Sequence, residues 1–343
     1  IPQAADSPRT IVVTVNGKEY TGTLPATDAY AANTMYTYPV TVRETGVEVG
    51  MPTTDVPWTE SELLTVTLDN KPFRIIRNAA DLKRFADDVN GGQRDLNALQ
   101  TADIDLGGID NWEPINYVND LTSSFTGIYN GNGYTISHLR ISRSQRIYNG
   151  LFGQIGSGAL LTGIHLRDVE IIPDRSGIAC GTLAGATVSL CSAQGKINMS
   201  GSGTQVGGLV GSNIGTVTRC RTDVTVKIDV TLENQLLESA GGITGRNEGL
   251  VFACHAIGSV TSGRLYAGGI VGMNLSSSYN DNIYCCIAEG DVTIISETEG
   301  LSGDAGGLAG YHQGGAIRSC YARGNASFAG TTSSGAVGAI VGR

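Results

Sequence analysis

The sequence lacks the positive charge that a nucleic-acid-binding chain needs. Lys and Arg total 23 against 32 Asp and Glu, which gives a formal net charge of −9. Contact with a phosphate backbone requires a basic patch that displaces counterions. The chain has no run of five like charges that could form such a patch. The composition therefore predicts that no nucleic acid is a partner.

Long apolar runs and metal-binding cysteine motifs are also missing. No apolar run approaches the roughly 18 residues of a membrane-spanning helix, so we expect no membrane span. Ile1-Pro2-Gln3 does not begin a signal peptide, and both a cytoplasmic protein and a processed secreted protein fit. The seven cysteines lie between Cys180 and Cys320, without a Cys-x-x-Cys pair or a His-Cys cluster of zinc spacing. We therefore predict no metal site and no cofactor.

Glycine, abundant at 48 residues, marks an internal repeat. The motif Gly-Gly-apolar-x-Gly occurs at 207–211, 241–245, 268–272 and 306–310, with a variant at 338–342 and weaker copies at 150–153 and 181–185. The last glycines of successive copies are 26 to 38 residues apart. Self-similarity at such a period is typical of a solenoid.

The residues between the glycine motifs indicate which solenoid this is. In five repeats a Cys follows the motif, with an apolar residue three positions before it and a small or apolar residue six positions after it. The three sets are Cys191, Cys220, Cys254, Cys286 and Cys320; Val188, Val217, Val251, Ile283 and Ile317; and Ile197, Val226, Val260, Val292 and Ala326. No repeat has a 10-residue stretch of helical periodicity, which excludes helix-pair repeats.

We therefore predict an all-β chain with three short strands per repeat, folded as a right-handed parallel β-helix. Its coils would stack about 4.8 Å apart and place equivalent residues in columns. The five repeat cysteines are predicted to form an internal column of thiols that pack as small apolar groups, because parallel Cβ vectors converge poorly for disulfides. Cys285 is predicted to face outward.

The first part of the chain has a different pattern. Residues 1–58 alternate apolar and polar side chains around Asn16-Gly17, which predicts an antiparallel, partly sandwich-like β module. Residues 59–77 are predicted as linking strands. Residues 78–147 are predicted to hold a helix, begun by Asn78 and ended at Gly91, and a first irregular coil that the helix caps. The β-helix repeats are assigned to 148–343.

Two parts of the sequence resemble known families. The Gly-Gly-Leu-Val-Gly and Ile-x-x-Cys-Tyr-Ala segments resemble the GLUG repeat of bacterial surface proteins, and residues 78–141 resemble the segment that opens such arrays. The strands around Tyr36-Thr37-Tyr38 resemble the C-terminal strands of fimbrillin-like proteins from Bacteroidota. The resemblance implies adhesion, a location at the cell surface, at the outer membrane or outside the cell, and no catalytic residues.

Catalytic constellations are weak in this sequence. Asp103 and Asp105 would share one face of a strand, but we expect them to make turn and strand-end hydrogen bonds. His255 follows Cys254, and neighbouring residues on a strand face opposite sides. No helix follows any glycine motif, so these motifs are not phosphate-binding loops. We therefore predict no catalytic residue.

The candidate binding residues lie where the repeats differ. Insertions are expected near 229–240, 273–284, 295–305 and 329–335, and such insertions map to surface loops where solenoids bind partners. Tyrosines with amide and carboxylate neighbours suit contact with carbohydrate or protein. The candidates are Tyr279, Asp281, Asn282, Tyr284 and Tyr311.

These patterns favour a non-enzymatic cell-surface or secreted adhesin, or an adhesion-associated scaffold. Its rigid β-helix would present lateral loops to a glycan or to a host or bacterial surface protein. Two alternatives stay open: a polysaccharide-binding or polysaccharide-degrading β-helix, and a structural subunit assembled through the N-terminal strands. The last coil is expected to need a cover, from further sequence or from a neighbouring molecule.

Overall fold

The computed structural model describes residues 10–15, 18–23, 40–43, 46–49, 67–68, 73–117, 123–142, 148–172, 180–183, 185–200, 205–229, 238–275, 281–296, 303–330 and 335–343. The chain divides into two compact units, Ile1–Pro72 and Phe73–Arg343. Each unit has its own sheets.

The first unit contains short strands. They are β1 Thr10–Val15, β2 Lys18–Thr23, β3 Val40–Arg43, β4 Gly46–Val49 and β5 Thr67–Leu68. β1 pairs with β2 and β3 with β4, both antiparallel, as the alternation predicts. β5 pairs with β3 in parallel. The predicted strand residues Tyr36 and Tyr38 lie outside the described residues.

The second unit begins with a strand, a helix and two irregular coils. These elements are β6 Phe73–Ile76, α1 Ala79–Asn90, β7 Asn97–Gln100, β8 Ile104–Asp105, β9 Ile128–Asn130, β10 Thr135–Ser137 and β11 Arg140–Ile141. β6 pairs in parallel with β7, which pairs with β9. Residues 73–76 therefore form the first strand of the β-helix and are not part of a linking segment, which corrects the predicted boundary at 78.

The regular coils follow. The next two contribute β12 Phe152–Ile155, β13 Leu160–Thr162, β14 His165–Ile171, β15 Cys180–Leu183, β16 Thr187–Ser189 and β17 Ser192–Ser200. Then come β18 Gln205–Gly207, β19 Val210–Asn213, β20 Thr216–Thr218, β21 Arg221–Asp229, β22 Ser239–Gly241, β23 Thr244–Asn247, β24 Leu250–Phe252, β25 His255–Ala256 and β26 Val260–Ser262. The last are β27 Leu265–Gly268, β28 Val271–Leu275, β29 Asp281–Tyr284, β30 Ile287–Ala288, β31 Val292–Ser296, β32 Gly303–Gly306, β33 Ala309–Gln313, β34 Ala316–Arg318, β35 Tyr321–Ala322, β36 Ala326–Gly330 and β37 Val337–Gly338.

Equivalent strands of successive coils stack into four parallel sheets, and this confirms the parallel β-helix. Sheet 1 has the order β12-β15-β19-β23-β28-β33, and sheet 2 the order β34-β29-β24-β20-β16-β13-β9-β7-β6. Sheet 3 is built on β35-β30-β25-β21-β17-β14-β10-β8, with β11, β26, β31 and β36 beside this path. Sheet 4 has the order β18-β22-β27-β32-β37.

Sheet 4 corrects the expectation of three strands per coil. Its strands are the short segments that precede each glycine motif, from Gln205–Gly207 onward. The glycine pair allows the chain to turn sharply from sheet 4 into sheet 1. A Cβ atom added at Gly242 would lie 2.1 Å from the carbonyl oxygen of Gly269 in the next coil. The motif is therefore a close-packed turn between two strands.

One copy of the glycine motif is placed differently from the prediction. Cys180 pairs with Phe152 below it and with Val210 above it. Gly181, and not Gly185, therefore occupies the position of the last glycine of the motif in this coil. Gly185 has a φ of +69°, which marks it as a turn glycine after β15. Because the distance between successive glycine motifs varies from 26 to 38 residues, the sequence alone does not distinguish Gly181 from Gly185 as the last glycine of this copy.

The cysteine column lies inside the β-helix, as predicted. Cys191, Cys220, Cys254 and Cys286 are buried and free, and Cys320 in the last complete coil is half-buried. The Cys220 thiol lies 3.2 Å from the carbonyl oxygen of Thr218 and 3.7 Å from that of Val188 in the coil below. The apolar residue three positions before each Cys is likewise in register, as Val188 is with Val217.

The helix covers the first coil as predicted. Asn78 is the N-cap, and its Oδ1 accepts a hydrogen bond of 2.9 Å from the Asp81 amide. Leu82, Phe85, Ala86 and Val89 form the buried face. The Phe85 ring packs against Phe125 and Tyr129, with centroids 6.1 and 5.7 Å apart. No helix in the described part of the chain is long and apolar enough to cross a membrane.

Candidate functional site

The outer corner between sheets 2 and 3 carries different side chains in successive coils. In five coils the residue before the column cysteine has a left-handed backbone with φ between 52° and 55°: Leu190, Arg219, Ala253, Cys285 and Ser319. This turn points the cysteine inward. Side chains alternate along each of the two strands that meet at this turn. The residue two before the cysteine therefore faces outward, next to the inward residue three before it, and the residue one after the cysteine faces outward as well.

We define the corner surface as these three outward positions in the five coils. It consists of Ser189, Leu190, Ser192, Thr218, Arg219, Arg221, Phe252, Ala253, His255, Tyr284, Cys285, Ile287, Arg318, Ser319 and Tyr321. The side chains change from small polar to cationic, then to aromatic and apolar. Cys285 is exposed, as predicted.

Aromatic side chains form a short stack on this surface. Phe252 and Tyr284 are in register on neighbouring strands, with ring centroids 5.3 Å apart and planes 15° from parallel. Arg318 follows Tyr284 in register. Tyr284, a predicted binding residue, is exposed, and one face of its ring stacks on Phe252.

Two guanidinium groups on the corner surface are exposed and have no ion-pair partner in the described part of the chain. Arg219 and Arg221 flank Cys220 in one coil. Arg221 is in register with His255, whose Nε2 lies 3.6 Å from an oxygen of Glu289. The fifteen corner residues include no Asp or Glu, although the whole chain carries a net charge of −9. The corner positions themselves therefore carry cations and no anion, with the carboxylates of Asp223 and Glu289 beside them.

Sequence reasoning missed these two arginines and Phe252. A usable signal was present, because the positions around each column cysteine vary while the cysteine itself recurs. The insertions between repeats are therefore not the only variable positions of the described coils.

One residue of the corner surface, Ser192, forms a serine-histidine pair with His165. The Ser192 hydroxyl is 2.7 Å from His165 Nδ1, and both side chains are half-buried on sheet 3. Such a pair is two members of a nucleophilic triad. Among the described residues no carboxylate contacts His165, and the pair stands on a flat strand face. It lacks the third member that orients the imidazole.

The acidic candidates behave as strand-end groups, in agreement with the prediction. Asp103 accepts a hydrogen bond of 2.8 Å from the Thr135 amide. Asp105 accepts one of 2.8 Å from the Gly107 amide and lies 2.7 Å from His138 Nδ1. The hydrogen bond from His138, followed by that from Gly107, lowers the pKa of the Asp105 carboxyl. A carboxyl held ionised in this way is not poised as a general acid.

The predicted binding loop at 273–284 is mostly strand. β28 extends to Leu275 and β29 begins at Asp281. Asn282 is buried, and its Nδ2 donates a hydrogen bond of 2.9 Å to Asn274 Oδ1. This corrects the expectation that Asn282 lies on an exposed loop tip. Tyr279 and the side chain of Asp281 lie outside the described residues.

Asn282 belongs to a buried ladder of amides that joins four coils. Asn213 Nδ2 donates to Asn247 Oδ1 at 2.7 Å, and Asn247 Nδ2 donates to Asn274 Oδ1 at 2.8 Å. Asn274 Nδ2 lies 2.9 Å from His312 Nδ1, which ends the ladder. Burial lowers the pKa of His312, against the raising effect of a backbone hydrogen bond at Gly315. The ladder is structural and offers no free amide to a ligand.

Tyr311 lies on another sheet than Tyr284. Its ring packs against Tyr266 of sheet 4 with centroids 4.9 Å apart, and its hydroxyl donates a hydrogen bond of 3.4 Å to Gln313 Oε1. Burial raises the pKa of Tyr266, with Asp304 and Tyr311 adding to the effect. The predicted tyrosines therefore do not form one site. Among the described residues no group of three or more His, Cys, Asp or Glu is placed to hold a metal ion.

Comparison with known proteins gives distant relatives. No family model matches the chain. Halomucin of Haloquadratum walsbyi is 30% identical over 184 residues, which are 53% of this chain and 2% of halomucin. A protein of Evansella cellulosilytica, provisionally named a Gly-rich membrane protein, is 39% identical over 85 residues, which are 25% of this chain and 9% of that protein. The chain thus spans only a small part of the curated relatives that it matches.

A solved structure supports the fold. It is the crystal structure of a chain from Bacteroides ovatus, provisionally named an immunoglobulin A1 protease. The TM-score is 0.50 at 19% identity, and the match covers 77% of this chain and 85% of that chain. A likeness at this identity concerns the fold alone.

Proposed function

We propose that this chain is a non-enzymatic recognition module of a cell-surface or secreted adhesin, in which the β-helix is a rigid frame and its outer corner contacts a glycan or protein ligand. The repeats at 148–343 are proposed to be of the GLUG type, and residues 1–58 a fimbrillin-like module. The names of the relatives, halomucin and a Gly-rich membrane protein, are compatible with a place at the cell surface.

One observation carries this proposal: the inside of the coils repeats while the corner surface does not. The cysteine column, the asparagine ladder and the glycine turns recur from coil to coil because each stacks on its equivalent. The corner positions have no such constraint, and they change from Ser189 and Ser192 to Arg219 and Arg221, and then to Tyr284 and Ile287. A fixed frame with a variable outer surface is how solenoids build extended binding faces.

The alternative is a polysaccharide-binding or polysaccharide-degrading β-helix. The observation nearest to catalysis is the contact of 2.7 Å between Ser192 and His165. A serine whose proton passes to a histidine attacks an acyl carbonyl, whereas glycosidic bonds are generally cleaved by a pair of carboxylates. This contact therefore does not by itself supply the cleavage of a sugar polymer. We favour recognition without turnover because the pair has no orienting carboxylate among the described residues.

Purified protein mixed with a panel of neutral and acidic polysaccharides tests the choice. Binding is measured by affinity electrophoresis, and cleavage by the release of new reducing ends from the same samples. The proposal expects saturable binding without new reducing ends. Release of new reducing ends by the purified protein would establish the degrading alternative.

A further inference from the structure

We propose that the corner surface binds an acidic polysaccharide along the axis of the β-helix, with Arg219 and Arg221 as its principal anion contacts. This inference rests on the proposed function and names the ligand class and the contact residues. It depends on three properties of the corner surface: the exposed pair Arg219 and Arg221, the local sign of the charge and the spacing between this pair and the next arginine.

The first property is the pair of unpartnered guanidinium groups. Arg219 and Arg221 are both exposed, and in the described part of the chain neither makes an ion pair or a side-chain hydrogen bond. The planar guanidinium fork matches carboxylate and sulfate oxygens in a bidentate manner. Several other cations among the described residues are neutralised locally, as Lys196 is by Glu170 at 2.7 Å and Lys227 by Asp229 at 2.9 Å.

The second property is the local sign of the charge. The corner surface has no carboxylate, whereas the rest of the chain is acidic enough to give a net charge of −9. Charges separated by more than the Debye length, about 8 Å at physiological ionic strength, are largely screened. Two carboxylates do lie beside it: Asp223, exposed two residues after Arg221 on the outward face of β21, and Glu289, 3.6 Å from His255. A polyanion on the corner surface therefore meets the two arginines against these two carboxylates, while acidic groups beyond the Debye length contribute little.

The third property is the spacing of the cations. The next arginine of the corner surface, Arg318, is three coils beyond Arg219, or about 14 Å along the axis at about 4.8 Å per coil. Phe252, Tyr284 and Ile287 lie between them. DNA carries one charge per about 1.7 Å of helix, which is far denser than this array. A sugar polymer with separated acidic groups and apolar CH faces between them fits better.

Binding of hyaluronan tests the inference, because this polymer carries a carboxylate on alternate sugars. Dextran serves as the neutral polymer and single-stranded DNA as the dense phosphate polymer. The variant is Arg219→Gln/Arg221→Gln. Its matched control is Arg77→Gln/Arg84→Gln, which removes the same charge from the helix region, where these side chains are 65% and 72% exposed. Thermal unfolding followed by circular dichroism verifies that both variants fold.

The expected result is saturable binding of hyaluronan that weakens by about tenfold or more in Arg219→Gln/Arg221→Gln, since charge-assisted hydrogen bonds of this kind contribute most where they are bidentate. The control variant should bind within about twofold of the unchanged protein, because exposed charges at a distance are screened. Binding should also weaken as salt is raised.

Three results would overturn the inference. If hyaluronan binds equally well to the Arg219→Gln/Arg221→Gln variant, the contacts lie elsewhere. If single-stranded DNA binds as tightly as hyaluronan and is lost in the same variant, the corner surface recognises phosphate polymers. If dextran binds and hyaluronan does not, the inference fails while the proposed recognition of glycans stands.

Discussion

Asn247 joins three coils of the β-helix through one buried amide, so its replacement by Ala has a calculable effect. The amide accepts a hydrogen bond of 2.7 Å from Asn213 and donates bonds of 2.8 Å to Asn274 and 3.1 Å to the carbonyl of Gly249. The side chain is 0% exposed, so water cannot replace these partners. A net contribution of about 1 kcal/mol per hydrogen bond gives a loss of about 3 kcal/mol.

The neighbouring amides limit the damage. Asn213 Nδ2 keeps a bond of 3.2 Å to the carbonyl of Leu250, and Asn274 Oδ1 keeps one of 2.9 Å from Asn282. Neither group is left without a partner, and we therefore do not add the full penalty of a buried unpaired amide. For a domain of this size the expected fall in Tm is about 6 to 12 °C.

The assay is urea unfolding followed by circular dichroism, with Tm measured in parallel. Asn325→Ala is the matched control, because Asn325 is exposed and its side chain takes no part in the ladder. This control should change stability by less than about 0.5 kcal/mol. An Asn247→Ala protein as stable as the Asn325→Ala protein would refute the idea that the ladder holds the coils together.

Four further outcomes are expected. Gly242→Ala should lose about 2 kcal/mol or more in urea unfolding, because the added methyl group meets the carbonyl of the next coil, whereas Gly108→Ala, with nothing within 4 Å, should be nearly neutral. Ala253→Gly should raise Tm by about 1 to 3 °C, because its φ of 53° strains a residue with a Cβ atom. Cys285 should react with iodoacetamide in the folded protein, whereas peptide mass spectrometry should find Cys220, Cys254 and Cys286 modified only after unfolding, because hydrogen bonds to neighbouring column thiols and burial raise the pKa values of these three thiols. The folded-state pKa of His312 is lowered. Its contribution to the free energy of unfolding should therefore be complete above its usual pKa of about 6.5 and be lost as pH falls through the folded-state pKa. A His312→Gln protein with the same pH dependence of unfolding would contradict this.

The sequence predicted the parts of the fold that depend on periodicity. The helix was predictable because a capping Asn78 precedes an apolar stripe at helical spacing, and the structure places Phe85 of that stripe on the first coil. The cysteine column was predictable because stacking in a solenoid brings equivalent residues together. Both inferences need only the repeat period and local propensity.

The fourth strand of each coil was not predictable in the same way. Segments such as Gln205–Gly207 are short and end in glycine, which disfavours strands by composition. They form strands because the neighbouring coils supply backbone partners in register. Tertiary pairing therefore overrides local propensity here.

The asparagine ladder corresponds to a recurring polar position in the sequence. Asn213, Asn247, Asn274 and His312 each stand two residues after the last glycine of a motif. A polar residue recurring at one position of a buried column indicates a hydrogen-bonded ladder, because isolated buried amides are costly. The position of Asn282 was predicted wrongly for a related reason. The sequence placed it in an exposed loop, whereas its side chain donates a hydrogen bond to Asn274 of the ladder.

The measurement that tests the central claim most directly is arginine footprinting of the folded protein with phenylglyoxal, with and without hyaluronan, read out by peptide mass spectrometry. The account predicts that the polymer slows modification of Arg219 and Arg221 and leaves Arg84, which is 72% exposed on the helix, unchanged. Equal rates at Arg219 and Arg221 with and without saturating hyaluronan, or protection confined to Arg84, would contradict the assignment of ligand recognition to the corner surface.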